Sequence, residues 1–131
     1  MPIQCDASDA PAFVRYTFEG DWTARQLSER RRELIRDGLL TAETAVLFDL
    51  RGATNIPDLS ELHPALLTSA TDAIWPVCRA FVVHTNTQYD AARRLQAMLG
   101  PQSVINEIFE DEGEALEWLA AMSSRTRATR T

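Results

Sequence analysis

The chain contains no lysine: all thirteen of its basic residues are arginine. A phosphate-cradling GxxxxGK[ST] loop needs that lysine and is excluded, and neither GxGxxG nor GxSxG occurs. The usual nucleotide, dinucleotide and serine-hydrolase readings therefore have no support in the sequence. Cysteine is scarce as well. Cys5 and Cys78 lie far apart and read as separate buried or idle thiols, not as a disulfide framework. Two histidines and two cysteines, with no close pairing among them, do not supply the three or four convergent ligands of a zinc site. No metal and no cofactor are expected. The apolar runs are strand-sized, too short to cross a bilayer, and the opening MPIQCDASDAP lacks the basic start and apolar stretch of a secretory signal. The expectation is a cytoplasmic protein without integral membrane association.

What is present is ordinary globular material. At 131 residues, 45% hydrophobic and 24% charged, the chain has the size of one domain and enough apolar surface to bury a core unaided. The net charge is −6, but the segment from Ser123 holds Arg125, Arg127 and Arg130 with no acid, a contribution of +3 that leaves −9 on residues 1–122. An acidic body repels the nucleic-acid backbone, so no nucleic-acid partner is expected. The domain is placed at 1–122. The tail 123–131, made largely of Ser, Thr and Arg with little to bury, is expected to be disordered, and three charges are too few to anchor it to an anionic membrane.

Strand-like and helix-like segments alternate along the chain. Residues 12–19 (AFVRYTFE) place Phe13, Arg15, Thr17 and Glu19 on one face and Val14, Tyr16 and Phe18 on the other, with Pro2 to Cys5 as a short antiparallel partner. Thr23 and Gln26 have capping-box spacing for a helix that Gly38 stops, with Leu27, Leu34 and Ile35 as its buried stripe and Arg30, Arg31 and Arg32 on a solvated, salt-bridged face. Ala45 to Leu50 (AVLFDL) is apolar except for Asp49, as fully buried central strands are. Asp58 and Glu61 open a second helix, with Leu59, Leu62, Leu66, Leu67, Ala70 and Ile74 at helical spacing before Pro76. Arg79 to Thr85 is the next strand, Thr87 and Asp90 open the next helix, and Val104 to Phe109 leads through Asp111 and Glu114 into a last helix ending near Met122. The rhythm β(β)αβαβαβα predicts a single α/β domain with a mixed, mostly parallel sheet of four to five strands.

In open sheets of this kind ligands gather beyond the carboxyl ends of the parallel strands, which here would present Asp49, Arg51 and Thr54, then His84, Thr85 and Asn86, then Glu110 and Asp111. Asp49 could serve as a base or hold a cation, but an aspartate so placed more often accepts backbone N–H groups or pairs with an arginine such as Arg51. His84 could be a general base, or simply hydrogen-bond into its loop. An enzyme would need His84, Asp49 or Asp111 within hydrogen-bond reach of one another. Trp22 and Trp75, both at helix boundaries, are candidates for an exposed apolar patch, whereas Trp118 reads as core.

The stretch FDLRGATNIPDLSEL, Phe48 to Leu62, resembles the signature region of STAS domains, and IFEDEGEALEWL, Ile108 to Leu119, resembles the bacterial SpoIIAA-like branch, whose superfamily likeness extends to Sec14-type lipid carriers. The resemblance implies a SpoIIAA-like β-α superhelical fold and a regulatory role through a protein partner or a second copy of the chain. In the antagonist branch a serine at the start of the helix after the signature strand is phosphorylated. Here Leu59 follows Asp58, Ser60 stands one residue on, and Thr54 is the other hydroxyl in reach, so Ser60 and Thr54 are the candidate positions. The preferred reading is a noncatalytic module whose ligand or partner surface is expected on Asp58, Ser60, Leu62, Leu66 and Trp75. The Sec14-like side of the resemblance implies an alternative, a small apolar ligand or lipid covered by the 59–74 segment.

Overall fold

Alternation of apolar and polar residues carries the sheet in the computed structural model, which describes residues 2–9, 12–41, 44–57, 78–99 and 105–130. Strands β1 (Ile3–Asp6), β2 (Phe13–Gly20), β3 (Ala45–Ala53), β4 (Cys78–Val82) and β5 (Ile105–Phe109) lie side by side in chain order. β1 is antiparallel to β2, and β2 to β5 are mutually parallel. The helices are α1 (Ala24–Arg36), α2 (Asn86–Leu99) and α3 (Glu112–Arg130). The fold class expected from the rhythm is the one observed.

Strand period 2 divides the core in two. Val14, Tyr16, Phe18, Val46, Phe48, Leu50, Phe81 and Val83 face α1 and α2, where they pack with Ala24, Leu27, Leu34 and Ala92. Ala45, Leu47, Cys78, Ala80 and Val82 face the other way and seat α3 through Ala115 and Leu119, with Trp118 and Met122 at the margin. The first cluster is rich in aromatics: Phe48 stacks between Tyr16 and Phe81, with ring centroids 5.0 and 5.3 Å away. The second has no aromatic among its buried members, though Phe13, Phe109 and Trp118 pack at its margin.

Thr23 caps α1 with both halves of its capping box formed, and Gly38 follows the helix at φ +73°, a conformation that costs glycine least. Three expectations require correction. Arg31 is buried: it falls between Leu27 and Leu34 at i+4 and i+7, inside the stripe and not on the solvated face, and sits near the equally buried Arg79. Burial, reinforced by the charge of Arg31, pushes Arg79 down to about 10, and burial likewise holds the Tyr16 phenol well above its ordinary value. Trp22 is buried against Phe18, centroids 4.5 Å apart, and contributes no exposed patch.

The third correction concerns the C-terminus. The last helix does not end near Met122: α3 continues to Arg130, so residues 123–130 are helical and not a disordered tail. The physical reason is in the charge order. Glu112 and Glu114 occupy the first turn, the three arginines come in the last two turns, and no Gly or Pro follows Gly113, so both ends complement the helix macrodipole.

The β2–β3 ladder contains a bulge. Thr17 pairs with Asp49 but Glu19 pairs with Gly52, so Leu50 and Arg51 together oppose Phe18. Gly52 makes this possible because a Cβ there would lie 2.9 Å from the Phe18 carbonyl oxygen, a backbone atom that cannot swing away. Gly52→Ala is expected to cost about 1–3 kcal/mol in urea denaturation, since either the bulge or β2 must shift.

Candidate functional site

The bulge sits where β3 leaves the core, and strand alternation places Asp49 and Arg51 there on the α3 side of the sheet, the side of Ala45 and Leu47. The Arg51 guanidinium donates from Nε to Asp49 Oδ1 and from Nη2 to Asp49 Oδ2, both at 2.9 Å, and the Arg51 backbone N–H adds a third bond to Oδ1 at 3.2 Å. Arg51 Nη2 also reaches Glu112 Oε2 at 3.3 Å, and the other oxygen of Glu112 pairs with Arg15 on β2. Two carboxylates and two guanidiniums thus form one charge-balanced network that ties the first turn of α3 to β2 and β3.

Electrostatics give each member a different task. Burial pushes the Asp49 carboxyl up, but the hydrogen bonds and charge of Arg51, with Arg15 behind, outweigh it and hold the group below the usual carboxylate range. The hydrogen bonds to Asp49 raise Arg51 in turn, against the opposing effect of burial. Asp49 is therefore ionised at neutral pH and held by three hydrogen bonds from Arg51. Its contribution to stability is full above the ordinary Asp value and is lost as pH falls below about 4, through the folded-state value. Asp49→Asn is expected to flatten the acid limb of a pH–stability curve measured by thermal unfolding, while moving stability little at the lowest pH.

A shallow cleft opens beside this network, lined by Thr17, Phe18, Glu19, Asp49, Arg51, Gly52 and His84. The structure thus brings three sequence candidates, Asp49, Arg51 and His84, to one place. His84 is exposed, and no hydrogen bond or ion pair joins it to Asp49 or Asp111 among the described residues. Asp111 instead caps α3, its Oδ1 accepting the Glu114 N–H at 3.1 Å. Thr54 donates from Oγ1 to Asp21 at 2.7 Å, and Asn55 bonds both backbone groups of Trp22, so the chain after β3 is pinned to the start of α1. Asp58, Ser60, Leu62, Leu66 and Trp75, with the whole 59–74 segment, lie outside the described residues.

Three contributors escape the sequence reading. Glu112 and Arg15 complete the network, yet they come from elements on opposite ends of the chain. Gln88 is the other kind of omission. The α2 cap is Thr85, not Thr87: the Gln88 N–H donates to Thr85 Oγ1 at 3.1 Å and Gln88 Oε1 accepts from the N–H groups of Thr85 and His84 at 3.2 and 2.7 Å. The buried Gln88 amide also donates to the Ala53 carbonyl at 3.1 Å, stapling the end of β3 to the start of α2. Overlapping frames, Thr85-x-x-Gln88 and Thr87-x-x-Asp90, carried the same signal, and only the first has a glutamine able to span both elements.

Between α1 and the sheet the interior leaves a cavity of about 10 Å³, room for no more than a water, lined by Tyr16, Leu27, Arg31, Leu40, Val46, Phe48 and Arg79. No helix among the described residues is long and apolar enough to cross a membrane, and no group of three or more His, Cys, Asp or Glu among them could hold a metal.

No family model matches the chain, and no curated protein matches it. Among solved structures, an uncharacterized protein of the DUF3478 family with a SpoIIAA-like fold, from Shewanella loihica PV-4, superimposes with a TM-score of 0.62 over 89% of this chain and 91% of the other, at 19% identity. Identity that low speaks to architecture alone. With its consecutive parallel strands, its antiparallel first strand and its final helix on the opposite face, the chain adopts a SpoIIAA-like α/β fold.

Proposed function

We propose that this chain is a noncatalytic regulatory module that docks a protein partner through the edge where β2 and β3 end, continuing into the segment from Asp58. The observation that carries the reading is Arg51. Its side chain is 39% exposed yet fixed from behind by Asp49 and Glu112, so it offers a preorganised guanidinium beside His84 at little entropic cost. A carboxylate engaged by three hydrogen bonds favours an anchoring role for Asp49 over an acid–base one.

Thr54 belongs to the same edge. Phosphorylation there would remove its donor to Asp21 and set a dianion against that carboxylate, which is expected to weaken docking. The test is Arg51→Ala. Once the partner complex is isolated from the native host, the variant is expected to weaken it by roughly tenfold or more while circular dichroism stays unchanged. A complex indifferent to Arg51→Ala and to His84→Ala, or a turnover activity lost with His84→Ala, would overturn the reading.

A further inference from the structure

The β3–β4 ladder ends at the pair Asp49 and Val82. Two residues past each of them stand Arg51 and His84, so parallel register brings these two residues of the cleft level with each other where the ladder has stopped. What holds them at that level is a side chain from α2.

Gln88 is 4% exposed, and all four hydrogen-bonding positions of its amide are used. Oε1 accepts the His84 N–H at 2.7 Å and the Thr85 N–H at 3.2 Å, while Nε2 donates to the Arg51 carbonyl at 3.4 Å and the Ala53 carbonyl at 3.1 Å. A reversed amide would set its NH2 against two N–H donors, so the network permits this orientation alone. The backbones of Arg51 and His84 thus hang on opposite ends of one buried group. Capping α2 does not require that arrangement. A cap asks only for an acceptor, which glutamate supplies as well as glutamine, whereas the two bonds to β3 need the donors of an amide.

We propose that Gln88 is the positioning residue of the docking edge: its amide fixes the spacing of Arg51 and His84, and a partner engages the two as one preset pair. The inference rests on the docking reading above and extends it to a buried residue that itself touches no partner. Binding gains because the backbone carrying both side chains is ordered before the partner arrives.

Three variants separate positioning from helix capping. Gln88→Glu keeps the acceptor that caps α2 and loses both donors to β3. Gln88→Met keeps the volume and loses all four amide bonds. Thr85→Ala removes the hydroxyl that accepts the Gln88 N–H at 3.1 Å and leaves the amide bonds in place. Affinity for the partner isolated from the native host is expected to fall about fivefold or more in both Gln88 variants and to stay within about twofold in Thr85→Ala. In the free chain, 15N relaxation is expected to show reduced backbone order at Arg51, Ala53 and His84 in Gln88→Met, with order retained there in Thr85→Ala. Gln88 variants that bind as the unsubstituted chain does, while Arg51→Ala weakens the complex, overturn this inference and leave the docking reading standing. Unchanged order at Arg51 and His84 in Gln88→Met overturns it too, as does an equal loss of affinity in Thr85→Ala, which would trace the effect to α2 stability. A complex indifferent to Arg51→Ala removes the docking reading and this inference together.

Discussion

Phe48→Ala is expected to remove about 3–5 kcal/mol of stability, a large share of the ~5–15 kcal/mol that holds a domain of this size. Phe48 is 5% exposed at the centre of β3 and stacks on Tyr16 and Phe81 from the strands on either side. Truncation removes apolar burial, three ring contacts, with Tyr16, Phe81 and Phe18, and the packing of α1, and a neighbouring backbone held in ladder pairing on both sides cannot collapse into the space. Urea denaturation checks this through a lower midpoint at unchanged slope. Tyr89→Ala, at a residue 39% exposed, is the companion control and should stay within about 0.5 kcal/mol. A Phe48→Ala loss below about 1 kcal/mol would mean that the stack is not the structural centre described.

Leu119→Ala should cost about 2–5 kcal/mol and, unlike Phe48→Ala, should act locally first. α3 is seated by Ala115 and Leu119 on a floor of Ala45, Leu47, Ala80 and Val82, and among these only Leu119 projects a large side chain from the helix. The polar tie through Glu112 holds one end of α3 alone. Hydrogen exchange is expected to rise along α3 before it rises in β3 and β4, whose amides remain in the ladder. Uniform acceleration across all elements would instead show that α3 and the sheet open as one unit.

How much of this was legible in the sequence depends on distance. Local signals were reliable: the apolar AVLFDL run of β3, the Thr23 and Gln26 box, the stop at Gly38 and the alternation of β2 all appear in the structure as read. The pairing of Asp49 with Arg51 was also visible, because residues two apart on a strand share a face. Nonlocal placement was not. Nothing in the order of elements says that α3 crosses to the face opposite α1 and α2, and without that placement Glu112 cannot be connected to Arg15 and Arg51. Arg31 was misread because residue type outweighed position, although its spacing from Leu27 and Leu34 named it as a core site. The helical stretch 123–130 was misread for the converse reason. Composition suggested disorder, while the acid-to-base order along the helix supported its continuation.

The central claim, a noncatalytic module that works through a protein partner, is tested most directly by native mass spectrometry of the protein purified from its own host. The expected result is a stoichiometric complex with another protein, with no small molecule retained on the chain. A chain that carries an amphiphile at one-to-one stoichiometry and no protein partner would contradict the claim and establish a carrier instead.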